Sequence, residues 1–343
     1  MKNRIFAMAA LAAALFASCN KETEMINPAP EARPDGASVT ITLSSGDDAQ
    51  TRAFFDATAT AEAWEKSLSS LSVFTFNASG DLILRRDFTV SELASKSATF
   101  SLPKSAAGTE CSFYAVANYD ASSAKTRSAL TALVEKSAGD YNGTFADVST
   151  KALRSGGFVM SGSTTKTVGA VNTSTQVGIS LKRTVAKVAL QTSIDPEFSE
   201  KYPGSITITS VKLSRAASQS LVVAGEPSTG AMSYTHTQTP GTASSKYNSL
   251  FYLYETGTLD AGSRVLLEIN ATYDGDGSSS TSDDRSDVTY SIELTGKAAG
   301  QILRNGYYRV AANITGLVGQ DCQVSVTVAD WETPVTQSVD LGA

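Results

Sequence analysis

From Ser38 onward the chain alternates apolar and polar residues with a period of two, as in Val39-Thr40-Ile41-Thr42-Leu43, Leu71-Ser72-Val73-Phe74-Thr75-Phe76, Ile206-Thr207-Ile208-Thr209 and Val324-Ser325-Val326-Thr327-Val328. Successive side chains of a strand point to opposite faces, so each run predicts a strand with one dry and one wet face. Ser, Thr and Gly fill the joints, and Asn77-Ala78-Ser79-Gly80-Asp81 has the composition of a hairpin turn between Phe76 and Leu82. Helical spacing is scarce. Its best instance is Ala124 to Lys136, where Leu130, Leu133 and Val134 form a narrow stripe, with a shorter candidate at Pro196 to Lys201. Many short strands with few helices predict an all-β protein of two tandem β-sandwiches rather than a parallel α/β sheet. The 343 residues, 41% of them hydrophobic, are enough for two cores. The expected division is near Leu181, with one sandwich over residues 38–181 and a second over 182–343. The second opens on Thr184-Val185-Ala186-Lys187-Val188-Ala189-Leu190, and no internal repeat is evident.

The N-terminus is built differently. Lys2 and Arg4 precede an Ala-rich apolar run that ends in Leu15-Phe16-Ala17-Ser18-Cys19, the plan of a bacterial lipoprotein signal. The run is too short to span a bilayer permanently and reads as a secretory peptide, residues 1–18. Cutting before Cys19 would leave a thiol to acylate, and several acyl chains anchor a protein where one does so only marginally. An ordinary signal, with Cys19 incidental, is the alternative; the scarcity of cysteine elsewhere favours the lipid. Residues 19–37, with Lys21-Glu22-Thr23-Glu24 and then Pro28, Pro30 and Pro34, read as a flexible tether.

Loss of Lys2 and Arg4 with the signal moves the net charge from -6 to -8, since no anion leaves with them. Arg85-Arg86 and Lys182-Arg183 are pairs inside apolar strand patterns, not a basic face, so no nucleic-acid partner is expected. Cys111 and Cys322 each sit in an alternating apolar run, far apart in sequence. A disulfide is possible outside the cell, but buried free thiols are the expectation.

The residues of catalysis are not assembled. The single histidine, His236, lies in the polar run Tyr234 to Thr239 with no nucleophile in a recognisable setting and reads as a surface-loop residue. Ser-x-x-Lys occurs at Ser101, Ser122 and Ser163 without the companion motifs of penicillin-interacting enzymes, as expected by chance in so Ser-rich a chain. Gly-x-Ser-x-Gly, the P-loop and Gly-x-Gly-x-x-Gly are missing. Asp274-Gly275-Asp276-Gly277 with Asp283-Asp284 resembles a calcium loop. However, Ser279 stands where the turn glycine is needed and Arg285 replaces the bidentate acid, so a solvated hairpin tip is favoured. No enzyme, cofactor or metal is expected.

Several segments in a fixed order carry more information. Thr51-Arg52-Ala53 follows the first strand and precedes Trp64; Phe113-Tyr114-Ala115-Val116-Ala117-Asn118 comes next, then Leu181-Lys182-Arg183-Thr184-Val185-Ala186-Lys187-Val188. The second half adds Phe251-Tyr252-Leu253-Tyr254-Glu255, Leu303-Arg304-Asn305-Gly306-Tyr307-Tyr308-Arg309-Val310 and Val324 to Trp331. Together with the lipoprotein signal, this order resembles the fimbrillin family of Bacteroidetes, the FimA- and Mfa1-like subunits of type V pili, over residues 38–343.

The resemblance implies transthyretin-like sandwiches and a cell-surface pilus subunit involved in adhesion. It implies export to the outer membrane as a lipoprotein, held by its lipid before processing, and other pilus subunits as partners; a host or bacterial surface ligand is unspecified. The acidic start of the tether is similar to the signal that sends such lipoproteins to the surface. In the family an Arg-specific protease removes the lipidated N-terminus with the first strand. The matching bond here is Arg52-Ala53, in the polar stretch Gly46 to Arg52, whereas Arg33 is followed by Pro34. Loss of Val39, Ile41 and Leu43 would open an apolar groove with unpaired backbone, which another subunit's C-terminal segment fills in the family. The candidate donor here is Val324, Val326 and Val328, followed by Val335, Val339 and Leu341, two runs broken at Asp330 to Pro334, where a hinge or edge tolerates proline. These runs read equally as the last strands of the second sandwich. A non-polymerising surface lipoprotein that binds glycan or host protein is the second reading, and a hydrolase a distant third.

Overall fold

The computed structural model describes residues 36–45, 61, 63–143, 156–227, 232–240, 246–278, 280–296, 299–317, 327–330 and 337–341. The residues of Cys19, Arg52, Ala53, Cys322, Val324, Val326 and Val335 lie outside them. The first half carries β1 (Ala37–Ser45), β2 (Leu71–Phe76), β3 (Leu82–Asp87), β4 (Ser97–Leu102), β5 (Glu110–Ala117), β6 (Val134–Glu135), β7 (Met160–Thr167) and β8 (Ser174–Arg183). The second carries β9 (Val185–Ile194), β10 (Ser205–Ala216), β11 (Ser220–Leu221), β12 (Tyr234–Gln238), β13 (Lys246–Tyr254), β14 (Leu266–Asp274), β15 (Arg285–Glu293), β16 (Gly306–Ile314), β17 (Thr327–Asp330) and β18 (Gln337–Leu341). Helices α1 (Val90–Ser95), α2 (Arg127–Thr131) and α3 (Phe198–Lys201) are short. The all-β expectation is borne out.

One seven-stranded path runs β3-β2-β5-β7-β8-β1-β4. Only Met160 and Ser161 of β7 pair with β8, so the path folds into two layers at that joint. There the backbones approach so closely that a Cβ on Gly162 would stand 2.1 Å from the Ser180 carbonyl oxygen. Between the layers lie Val39, Ile41, Phe100, Leu102, Val177 and Ile179 from one side and Val73, Leu84, Cys111, Phe113 and Ala115 from the other. Burial pushes the Cys111 thiol above its ordinary value, which keeps it neutral, as a packing residue rather than a nucleophile should be. The second core lies between β12-β10-β14-β15 and the sheet β13-β9-β16-β17, with β18 also on β16.

Two local expectations change. Of Ala124 to Lys136 only Arg127–Thr131 is helical, capped by the Thr126 hydroxyl, which accepts from the Ala129 N–H. Val134 and Glu135 instead pair with Leu221 and Ser220 of β11, and that pairing overrides the helical spacing. His236 lies on β12, not in a loop; half-buried, its Nε2 is 2.8 Å from the Gly143 carbonyl oxygen and its ring meets Phe251 edge-on. The turn at Asn77 to Asp81 does join β2 to β3, closed by the Asn77 N–H to the Asp81 carbonyl and the Gly80 N–H to the Asn77 carbonyl, both at 3.0 Å.

Candidate assembly edges

β1 is held on both edges. It runs antiparallel to β4, with Val39 opposite Phe100 and Ile41 opposite Ala98, and parallel to β8, with Ile41 beside Val177 and Leu43 beside Ile179. Ala37, Val39, Ile41 and Leu43 are buried, while Thr40 stays on the wet face and shares a hydrogen bond with Thr99 at 3.0 Å. The Ser97 hydroxyl donates to the Ile41 carbonyl at 3.0 Å, and the Leu43 N–H to the Lys96 carbonyl at 2.9 Å. Among the described residues β4 ends the sheet, and its one ladder is to β1. Without β1, both β4 and β8 would face an empty slot. Three large aliphatic side chains at about 1.5–3 kcal/mol each make the vacancy worth about 5–9 kcal/mol. That is comparable with the whole stability of a domain, so an open slot favours any strand able to fill it.

The other edge belongs to β16. Its inner side pairs in parallel with β9, Val310 beside Leu190. Its outer side is shared by both C-terminal strands. β17 runs antiparallel over Gly306–Arg309, with Val328 opposite Tyr308, and β18 runs parallel over Val310–Ile314, with Val339 beside Ala312 and Leu341 beside Ile314. Val328, Val339 and Leu341 thus lie on one outer edge, and Val39, Ile41 and Leu43 lie inside the first sandwich.

Sequence reasoning missed the polar seam between the sandwiches. Glu65, in the 3-10 turn Ala63–Lys66, is wholly buried and meets Lys187 Nζ at 2.9 Å. Arg183 of β8 donates from Nη1 to Asn305 Oδ1 at 2.9 Å. Within the second half, Glu255 accepts from Arg304 Nε on both carboxylate oxygens at 3.0 Å and pairs with its Nη2. Asn142 spans the boundary to β13, donating to the Tyr252 carbonyl at 2.7 Å and accepting from the Tyr252 N–H at 2.8 Å. The available signal was Lys187 itself, a lone cation in an apolar run, which burial obliges to find a carboxylate.

At the β14–β15 tip, Asp274, Asp276 and Asp284 bring carboxylate oxygens within 4.8 Å of one another, the group among the described residues that could hold a cation. Arg285 Nε already donates to Asp274 at 3.0 Å, and the Asp276 N–H to Asp284 at 2.6 Å.

Residues 37–191 match the profile of the family described as major fimbrial subunit protein (FimA). The chain is fimbrillin-like. That family is one of structural subunits, not an enzyme class. Among solved structures, a fimbrilin from Porphyromonas gingivalis W83 superposes with a TM-score of 0.56 at 15% identity, over 90% of this chain and 96% of that one. The tip fimbrial protein Mfa3 of Porphyromonas gingivalis, solved with a C-terminal truncation, gives 0.53 at 13% identity, over 86% and 99%. A crystal structure from Bacteroides eggerthii gives 0.55 at 18% identity, over 92% and 99%. At these identities the likeness is one of fold. No curated protein matches the chain.

Proposed function

We propose that this fimbrillin-like chain is a structural subunit of a surface pilus. It is exported as a lipoprotein acylated at Cys19, cut between Arg52 and Ala53, and polymerised with other pilus subunits by strand exchange into the slot of β1. It divides near Leu181 into the two sandwiches that carry the slot and the donor. The observation that carries this reading is the place of β1: among the described residues it is the first strand, with one dry face, and the sole ladder partner of the edge strand β4. A cut in the segment between Ser45 and Ala61 separates it from everything that follows. A replacement must run parallel to β8 and antiparallel to β4, placing aliphatic side chains at every second position. The C-terminal strands support the donor role because they occupy an outer edge instead of a central slot.

N-terminal sequencing of surface material tests the reading. Filaments should begin at Ala53, and metabolic labelling with a clickable palmitate should mark the unprocessed chain but not its Cys19→Ala variant. Filaments whose subunits begin at Cys19 would reject the cut, and equal labelling of both chains would reject the lipid site.

A further inference from the structure

The turn Ala63–Lys66 precedes β2 and inserts between the two sandwiches. Glu65 is 0% exposed. Beside the Lys187 ammonium at 2.9 Å, its carboxylate accepts from the Tyr252 hydroxyl at 2.5 Å, and its carbonyl oxygen accepts from Arg183 Nε at 2.9 Å. Trp64 packs on Phe158 at 5.5 Å and edge-on to Tyr252 at 5.7 Å between ring centres. Lys187 in turn lies 5.4 Å from the centre of the Tyr307 ring. Three strands of the boundary, β8, β9 and β13, therefore hold one residue of this turn. A carboxylate so deeply buried is tolerable only while its partners stay in place, so the turn is fixed wherever they are fixed.

The same hydrophobic cluster contains Ala37, Val39, Ile41 and Leu43 of β1, Ala61 just before the turn, and Val185, Ala189, Leu250, Tyr252 and Tyr307 of the second sandwich. The strand that leaves on processing and the turn that stays thus brace one core.

We propose that Ala63–Lys66 is a strap, anchored by Glu65, that keeps the two sandwiches joined once β1 has been excised. It would also set the limit of what processing can remove: a cut upstream of Ala61 leaves the strap in place, and one beyond Lys66 takes it away. The proposal rests on the reading that β1 is removed. While β1 is seated, loss of the Glu65 contacts is partly carried by the shared core; once β1 is gone, the strap carries a larger share of the joint, beside the Asn142 contacts to Tyr252. Two lesions in one cluster are then non-additive, whereas a lesion elsewhere simply adds.

The test uses the mature chain with Cys19→Ala, to keep it in solution, and a recognition site for a highly sequence-specific protease placed between Gly46 and Arg52. Cutting then does not depend on Arg52 being the natural site. Melting is followed by circular dichroism before cutting, and after cutting with the β1 peptide removed. Glu65→Gln and the milder Tyr252→Phe, which keeps the ring against Trp64, are compared with Tyr290→Phe, which loses a buried bond to the Gly316 carbonyl in the second core. The expected result is a drop in Tm for Glu65→Gln and Tyr252→Phe about twofold larger in cut than in uncut protein, with an unchanged drop for Tyr290→Phe. Equal drops before and after cutting would overturn the strap, as would cut wild-type protein that melts in two separate transitions. If Glu65→Gln does not fold, the Tyr252→Phe comparison decides alone. Surface chains beginning at Cys19 would instead reject processing and leave this result standing.

Discussion

β1 and β9 occupy the same place in their respective sandwiches. Each is the opening strand of its half, antiparallel to one neighbour, β4 or β13, and parallel to a later strand of the same half, β8 or β16. Their surroundings differ. β1 buries every second residue and leaves Thr40 and Thr42 on the other face. β9 is buried without interruption from Val185 to Leu190. Val185 and Ala189 belong to the first core, and Ala186, Val188 and Leu190 to the second. Lys187, which breaks the apolar run, is neutralised by Glu65. A strand that serves one core can be replaced by any strand of the same pattern, whereas a strand that serves two cannot leave without dissolving both. The topology is shared, so exchangeability comes from the second face.

The largest expected effect puts that contrast to the test. Leu190→Ala should lower the unfolding free energy by about 2–5 kcal/mol, the usual range for a truncated buried aliphatic. Ile41→Ala should have a similar effect on the unprocessed monomer. In assembled filaments the two should part: those carrying Leu190→Ala should dissolve at a lower guanidinium concentration than wild type, and those carrying Ile41→Ala at the same one, since a neighbour's side chain fills the seat. Filaments weakened equally by both substitutions would mean that β1 never leaves.

A smaller effect is expected from deleting Val335 to Ala343. β18 covers the outer edge of β16, which β9 still holds from the other side. The truncated monomer should therefore stay folded and lose less melting temperature than Leu190→Ala takes away, yet form no SDS-resistant ladder after processing. A loss as large as that of Leu190→Ala would assign the segment to its own sandwich and end its candidacy as donor.

The strands were legible because alternation is local: Val39 to Leu43 shows its dry and wet faces in five residues, and β1 lies where that pattern puts it. The near-continuous run from Thr184 to Leu190 marks a strand equally well, but which core takes which face depends on partners distant in the chain. For the same reason the stripe at Leu130, Leu133 and Val134 misleads, since nothing local announces that β11 captures Val134. The assembly edges were half legible. Periodicity and the family resemblance marked which residues belong to them, but the dependence of β4 on β1, the sharing of one β16 edge by two tail strands, and the Glu65 seam all arise from pairings that no local pattern encodes.

The smallest effect distinguishes the far ends of the two opening strands. β9 is clamped where it ends: the Asp195 N–H donates to the Ile314 carbonyl at 2.9 Å, and its carboxylate accepts from the Glu197 N–H at 2.9 Å and from Asn313 Nδ2 at 2.7 Å. The Glu197 N–H, then the Asn313 amide, hold the Asp195 carboxyl below its ordinary value. A carboxyl depressed in the folded state contributes stability that is present above the unfolded value, about 3.9, and is lost as the pH falls through the lower folded value. Protonation should therefore loosen the β9–β16 end in acid. Asp195→Asn keeps one acceptor oxygen but turns an N–H2 toward one of the two donors, so it should mimic the acid state at neutral pH. Amide exchange near Ile194 and Ile314 should be faster in the variant than in wild type at pH 6, and the two should converge as the pH falls through the lowered folded value of Asp195. No comparable clamp joins Ser45 of β1 to its neighbour Leu181 among the described contacts, so exchange at that end should be unchanged by the substitution at either pH. Acid-dependent exchange at Ile194 that persists in Asp195→Asn would locate the titrating group elsewhere and remove the clamp from the contrast between the two strands.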